Sequence, residues 1–345
     1  MLKAARGRAE KAAQGLSPMA AHVVTLLHRQ AQPAKVPTLE RFFKTGKGQY
    51  GEGDQFLGVM NPQLHALVKE TTTLGNPTVA EAVEVLESPF NEQRFVALGL
   101  LRRIYERPLA PPHPLSAAAP AVLGRPRASP TAAAPAAGKK AKPQPAAARS
   151  NKKAPGGGDD EAAAQRVRQA VYRAVTERIA TRVNNWNLVD CFVPYILGPH
   201  LFALPPADRW AALVELGGPV TGPGAGQGKA NLWERRSAIL ATMHFIRCGR
   251  SDETLKLCER FLADERDLIH KASGWLLREL GKKEPARLTA FLTAHVAAMP
   301  RTTLRYAIER LPPAERQRWM TAPSAVKKPK GPRPAAAAPA KRARA

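Results

Sequence analysis

The sequence predicts an all-α protein in which helical hairpins stack into a repeat array. From residue 231 onward, helix starts recur near positions 231, 251, 265, 284 and 301, so each start follows the previous one after 14 to 20 residues. Two helices then make one unit of about 35 residues, which is the period of helical-hairpin arrays. No segment shows the sustained alternation of apolar and polar residues that predicts a half-buried β-strand.

Capping residues and prolines mark the helices of the N-terminal half. Ser17 followed by Pro18 places a capping residue before a proline in the first turn, so the first helix begins here. A glycine-rich segment at 44–54 is too irregular for a regular element. The predicted helices of this half are 18–32, 39–44, one from Asn61, one from Asn76, and 91–107.

The second half opens with acidic residues that favour a helix N-terminus, and the helix they begin covers about 159–182. The next helix covers about 187–197, and we expect Pro194 to bend or shorten it. A helix at 206–216 precedes a glycine-rich loop at 217–230, after which the hairpin repeat begins.

Three segments lack the large apolar side chains that a core requires: 1–15, 108–158 and 321–345. We expect a disordered insertion and two disordered tails, which leaves N-terminal helical repeats at 16–107 and site-bearing C-terminal repeats at 159–320. The three segments carry 18 of the formal net charge of +25. Flexible cationic segments attract polyanions through counterion release. The alternative is that they only keep the chain soluble or reflect a G+C-rich genome.

Several protein classes are excluded by composition. No stretch approaches 18 apolar residues, so no membrane span is predicted. The three cysteines have no C-x-x-C spacing, which indicates a reducing compartment and neither a disulfide framework nor a zinc site. The histidines lack metal-ligand spacing. We therefore expect a protein without metal or cofactor, cytoplasmic and nucleoid-associated in a bacterium or nuclear in a eukaryote.

A tryptophan and a carboxylate share one face of a predicted helix. Trp186 and Asp190 are four residues apart, hence about 40° apart around the helix and one turn along it. A carboxylate beside an indole in a cationic chain indicates a site for a cationic or charge-developing group on an anionic polymer. Two later helices also pair an indole with a charge three residues away: Trp233 with Arg236, and Trp275 with Arg278.

Three segments carry these side chains: Asn185-Trp186-Asn187-Leu188-Val189-Asp190, Trp233-Glu234-Arg235-Arg236-Ser237-Ala238-Ile239-Leu240 and Lys271-Ala272-Ser273-Gly274-Trp275-Leu276-Leu277-Arg278-Glu279. They resemble the signature segments of the DNA alkylation repair family of HEAT-like-repeat DNA glycosylases. The stretches 42–59 and 299–309 are also similar to that family. Several motifs in the same order are more specific than any single one.

The resemblance implies a right-handed solenoid of HEAT-like helical hairpins with a concave basic groove. It implies a monomer that binds duplex DNA with alkylated bases and hydrolyses the N-glycosidic bond of N3- and N7-alkylated purines. Asp190 matches the catalytic carboxylate, Trp186 and Trp275 match the aromatics flanking the lesion nucleotide, and Arg236 matches an arginine that contacts the backbone. The same surface is expected to include three further DNA-binding residues: Trp233, Lys271 and Arg278.

Two features depart from the family pattern, namely the insertion at 108–158 and Leu57, which stands where some members carry an aromatic residue. Two other functions also fit a helical repeat. One is a non-catalytic binder of branched or distorted DNA, since fold alone does not establish activity. The other is a protein-binding scaffold, although a scaffold needs neither a carboxylate among tryptophans nor cationic segments.

Overall fold

The computed structural model describes Gly7 and residues 10–117, 157–219 and 232–323. In these ranges the regular structure is α-helical, apart from a short 3₁₀ helix at Pro33–Lys35 and two isolated β-bridges. The predicted all-α class is therefore confirmed.

Besides helical residues at 7 and 10–12, fifteen α-helices lie in the described ranges. In chain order they are α1 (Pro18–Arg29), α2 (Val36–Phe43), α3 (Asn61–Thr73), α4 (Val79–Leu86), α5 (Asn91–Glu106), α6 (Pro114–Ala117), α7 (Gly157–Thr176), α8 (Trp186–Phe202), α9 (Pro206–Gly217), α10 (Leu232–Arg247), α11 (Asp252–Arg260), α12 (Asp267–Lys283), α13 (Pro285–His295), α14 (Arg301–Ala307) and α15 (Pro313–Thr321).

The chain divides into two compact units, Met1–Arg209 and Trp210–Ala345. The first unit includes residues 159–209, which follow the predicted insertion in sequence. The reason is that α7 and α8 pack on α5, so the N-terminal core is completed by helices that follow the insertion in sequence.

Helix α5 is the centre of the first unit. It packs against α1, α3, α4, α7 and α8. Phe95, Leu98 and Leu101 are fully buried, and even the polar residues of its first turn are covered. Because every residue from Asn91 to Leu101 is buried, most of this helix is a core element rather than a surface helix.

In the second unit, the alternate helices α10, α12 and α14 pack side by side. Helix α12 contacts both α10 and α14, while α11 and α13 also pack against it. The starts of α10, α12 and α14 fall at residues 232, 267 and 301, which agrees with the predicted period of about 35 residues. The right-handed solenoid and its concave basic groove remain predictions.

The first ten residues of the predicted insertion are ordered parts of the first unit. Residues 108–117 are bound to the first unit, because the Asn76 N–H donates to the Pro111 carbonyl at 2.8 Å and the Ser116 hydroxyl donates to Glu81 at 2.7 Å. Residues 1–6, 118–156 and 324–345, which hold most of the segments predicted to be disordered, lie outside the described residues.

Helix α8 is longer than predicted, since it continues to Phe202 through Pro194 and Pro199. A proline in a helix removes one backbone hydrogen bond. Here most of the helix is buried, and Leu188, Val193 and Leu197 are fully covered. Packing therefore maintains the helix where backbone hydrogen bonding is incomplete. Among the described helices, none combines the length and apolar character needed to cross a membrane.

We predict that Gly274→Ala destabilises the second unit. A Cβ atom there would lie 2.5 Å from both the Thr303 carbonyl oxygen and Tyr306 Cβ, where α12 meets α14. Overpacking of this kind costs about 1–3 kcal/mol, measurable as a lower midpoint of urea unfolding followed by circular dichroism. Gly158→Ala is the matched control, since a Cβ atom there meets nothing within 4 Å and alanine favours a helix. Equal midpoints for the two variants would contradict the close helix contact.

Candidate active site

The first turns of α8 place an indole and a carboxylate on one helix face. Trp186 is the first residue of α8, and Asp190 follows one turn later. Both side chains are half-buried, so neither is enclosed in the core. Asn185 caps the helix, and its Oδ1 accepts a hydrogen bond from the Trp186 N–H at 2.8 Å.

Two phenylalanines at the end of α2 complete an aromatic cluster around Trp186. The Phe43 ring stacks on the indole with ring centroids 5.1 Å apart, and Phe42 meets it edge-on at 5.5 Å. Phe43 also stacks on Phe56, whereas Phe42 is 60% exposed. Sequence reasoning missed these contacts, although two adjacent aromatics before a glycine-rich loop were a visible signal. Leu57, which stands where some family members carry an aromatic residue, is buried. Phe42 and Phe43 supply aromatic contacts to the indole.

The glycine-rich loop 44–54 folds back on the end of α2. Lys44 adopts a left-handed φ of 58°, and its carbonyl accepts a hydrogen bond from the Gly51 N–H at 3.0 Å. A Cβ atom at Gly51 would lie 2.3 Å from the Phe43 carbonyl oxygen and 3.0 Å from Asn185 Nδ2. Only glycine permits this close approach. The loop thereby brings Asp54 to the beginning of α8.

Asp54 is buried and forms the centre of a polar network. Its Oδ1 pairs with the Arg94 guanidinium at 2.5 Å, and both side chains are 3% exposed. Its Oδ2 accepts hydrogen bonds from Asn91 Nδ2 at 3.0 Å and from Asn185 Nδ2 at 2.9 Å. Buried charges require such pairing because desolvation is costly.

The same network continues into the segment that leads to α8. Arg94 Nη1 donates to Asn184 Oδ1 at 2.6 Å and to the Arg182 carbonyl at 3.1 Å. Asn187 Nδ2 donates to Asn91 Oδ1 at 2.7 Å. The start of α8 is therefore attached to the start of α5 by side chains from both helices.

Asp190 acts electrostatically on its neighbour Cys191. Burial raises the pKa of the Cys191 thiol to about 11, and the Asp190 carboxylate acts in the same direction. The positive charge of Arg102 opposes this shift without reversing it. The thiol therefore stays protonated near neutral pH, and Cys191 has none of the thiolate character of a reactive cysteine. Arg102 itself lies over the Tyr195 ring at 3.7 Å and pairs with Glu106 at 2.7 Å.

In the second unit, two residues predicted to bind DNA are mostly covered. Trp233 and Arg236 are each 5% exposed. Arg236 donates a hydrogen bond to the Leu268 carbonyl, which ties α10 to α12. Contacts of these two side chains with DNA remain predictions, and in this conformation both have a packing role.

Two other predicted DNA-binding cations lie beside acidic residues. Lys271 pairs with Asp267 at 2.7 Å, and Arg278 pairs with Glu309 and, at 3.6 Å, with Glu279. Surface pairs of this kind contribute little stability. A phosphate could therefore replace the carboxylate at modest cost.

Trp275 is half-buried and lines a pocket of about 240 Å³ between α10 and α12. The pocket is also lined by Met243, Arg247, Glu279 and Lys282. The indole face attracts cationic groups, while Arg247 and Lys282 suit a phosphate. Within the described ranges, no three His, Cys, Asp or Glu side chains are grouped to hold a metal ion.

A second buried ion pair fixes the N-terminal end of α12. The Asp264 side chain is 1% exposed and pairs with Arg235 at 2.5 Å and with Arg266 at 2.7 Å. Burial alone would raise the Asp264 pKa, but the hydrogen bonds from Arg266 and Arg235 outweigh it and hold the pKa below its ordinary value of 3.8.

Comparison with known proteins gives one family. Residues 23–113 and 227–311, together just over half of the chain, match the family described as DNA alkylation repair enzyme. The chain is also similar to a solved structure described as a predicted DNA alkylation repair enzyme from Enterococcus faecalis, with 16% sequence identity, a TM-score of 0.49, and coverage of 82% of this chain and 98% of that one. No curated protein matches the chain significantly.

We predict that the stability contributed by Asp264 is lost in acid. Because its folded-state pKa is lowered, the stabilisation is present above the ordinary pKa of 3.8 and disappears as the pH falls through the folded-state value. Asp264→Asn should cost about 3–5 kcal/mol at pH 7, since Arg235 is then buried without its counter-ion. Urea unfolding at pH 7 and well below pH 3.8 measures the difference from wild type, which should shrink at the lower pH. A difference independent of pH would contradict this assignment.

Proposed function

The chain belongs to the DNA alkylation repair enzyme family, and from that membership we propose that it is a DNA glycosylase that removes N3- and N7-alkylated purines from duplex DNA. The observation that carries this proposal is the position of Asp190. Its carboxylate lies at the half-buried start of α8, one turn from an indole that is itself held by aromatic rings.

The reaction needs a negative charge near the sugar. An alkylated purine carries a positive charge, and it leaves with the electrons of the broken N-glycosidic bond as a neutral base. The sugar then develops the positive charge of an oxocarbenium-like transition state. Water forms the new bond to C1′ and releases one proton, which leaves an abasic site. Asp190 stabilises the developing charge and orients this water.

The aromatic and cationic residues hold the nucleotide in place. Trp186 offers a π face to the cationic lesion and its sugar, worth on the order of 0.5–2 kcal/mol. In the second unit, Trp275 offers a π face to DNA. Arg236, Lys271 and Arg278 contact phosphates, which fixes position without reading sequence. Trp233 is a further predicted DNA contact in the second unit. In this mechanism the protein acts as a monomer on duplex DNA and needs neither metal nor cofactor.

We predict that the wild-type protein releases 7-methylguanine or 3-methyladenine from methylated duplex DNA, and that Asp190→Asn slows release by roughly 10²–10³-fold. DNA binding should persist, because the substitution removes a charge that repels phosphate. Chromatography of released bases under single-turnover conditions measures the rate. Asp208→Asn, the same change at an exposed acid in the first turn of α9, is the control and should match wild type.

Two outcomes would count against this proposal. If wild type releases no base above the spontaneous background yet binds DNA, the protein is a non-catalytic DNA binder. If wild type is active and Asp190→Asn matches it, another group provides the catalytic charge.

We predict that deleting 118–156 and 324–345 makes DNA binding less sensitive to salt. The two deletions remove fifteen Lys and Arg residues and no acid. Fewer displaced counterions give a shallower dependence of log K on log salt. The deletions spare residues 108–117, because these are hydrogen-bonded to the first unit. Titration of labelled duplex at several salt concentrations measures the slope, and excision at low salt should be retained. If the slope of log K against log salt is unchanged, the deleted Lys and Arg residues do not bind DNA and serve solubility alone.

A further inference from the structure

Asp54 is a buried carboxylate that the proposed reaction does not use. It lies with Arg94 inside the first unit, and both side chains are only 3% exposed. We propose that Asp54 is a positioning residue for Asp190: it holds the first turn of α8 and so sets where the catalytic carboxylate lies. This inference rests on the proposed glycosylase function, and its structural part can be tested without any activity.

The first link runs from Asp54 to the backbone of α8. Asp54 Oδ2 accepts a hydrogen bond from Asn185 Nδ2 at 2.9 Å, and Asn185 Oδ1 accepts one from the Trp186 N–H at 2.8 Å. Two hydrogen bonds therefore join the carboxylate to the first residue of the helix. Because Asn185 uses both ends of its amide, its side chain cannot turn over without breaking both bonds.

The second link fixes rotation about the axis of α8. Asn91 donates to Asp54 at 3.0 Å and accepts a hydrogen bond from Asn187 at 2.7 Å. Asn187 lies three residues before Asp190, so the two side chains are about 60° apart around the helix. Any rotation that moves Asn187 away from Asn91 also moves the Asp190 carboxylate.

A small rotation has a large chemical effect. Side-chain atoms lie about 5–6 Å from a helix axis, so a rotation of about 10° displaces a carboxylate by about 1 Å. A displacement of that size can reduce a reaction rate by about 10²-fold. The network at the start of α8 therefore controls a distance on which catalysis depends.

Only a carboxylate satisfies the groups around position 54. The side-chain N–H groups of Arg94, Asn91 and Asn185 converge on its two oxygens. An amide of the same shape has one acceptor oxygen and one NH₂ group, so Asp54→Asn must direct a donor at another donor. The expected response is a shift of the movable partner, the Asn185 cap of α8.

A second variant reaches the same contact without changing charge. A Cβ atom at Gly51 would meet Asn185 Nδ2 at 3.0 Å and the Phe43 carbonyl oxygen at 2.3 Å. Gly51→Ala therefore pushes the loop and the Asn185 side chain apart. If Asp54→Asn and Gly51→Ala change the release rate in the same way, the effect comes from the position of α8. Loss of the Asp54 charge cannot explain it, because Gly51→Ala leaves that charge unchanged.

The test compares these variants with Val23→Ala, which truncates a fully buried side chain on α1, a helix that packs on α4 and α5. Val23→Ala provides a loss of stability unconnected with α8. For each full-length protein we would measure amide hydrogen exchange of the peptide covering 185–191, the single-turnover rate of base release and the dissociation constant for undamaged duplex.

We expect faster exchange at 185–191 and a 10- to 100-fold slower release for Asp54→Asn and Gly51→Ala, with DNA affinity within about threefold of wild type. Val23→Ala should change neither local exchange nor the release rate by more than about threefold. This split between rate and binding is the signature of a displaced catalytic group.

Each contrary result overturns a different statement. If local exchange and release in Asp54→Asn match those in Val23→Ala, Asp54 has only a general structural role and the positioning inference fails. If wild type releases no base, the proposed glycosylase function fails and the role in excision with it. In that case, faster exchange in Asp54→Asn alone would still show that Asp54 holds α8.

Discussion

The buried pair of Asp54 and Arg94 is the constraint on which the first unit depends. Removing two charges from water is expensive, and a buried ion pair often adds little net stability. We infer that the pair contributes specificity here, because the carboxylate is satisfied only where several donors meet. Here the donors come from the start of α5 and from the cap of α8, and Asn185 lies 131 residues from Asp54 in sequence. One arrangement of three chain segments satisfies all of them.

The candidate site reconciles two opposing electrostatic requirements. Binding a polyanion favours positive charge, whereas a sugar that becomes cationic needs a nearby negative charge. The sequence carries most of its net positive charge in 1–15, 108–158 and 321–345. Several folded cations, including Lys271 and Arg278, already pair with acids. Asp190 can therefore act in a protein that is strongly basic overall.

Sequence reasoning succeeded where the signal is local. Pro18 in a first turn and the period of about 35 residues depend on neighbouring residues, and the structure contains both. It was less accurate where packing opposes local preference. Helix α8 continues through Pro194 because its surroundings bury it, and residues 108–117 are bound through Asn76 although their composition suggests disorder. Helices α7 and α8 pack on α5, which precedes the predicted insertion, and no local signal in the sequence indicates this grouping.

The sequence by itself determined the helical class, the repeat period and the placement of Trp186 and Asp190 on one helix face, because four residues always make about one helical turn. Only the tertiary structure decided which faces are covered. It buried Trp233 and Arg236 while leaving Trp186 partly exposed. The physical reason is that exposure depends on which helices pack together, and those partners are distant in sequence. Periodicity fixes the direction of a side chain relative to its own helix but carries no information about what lies opposite.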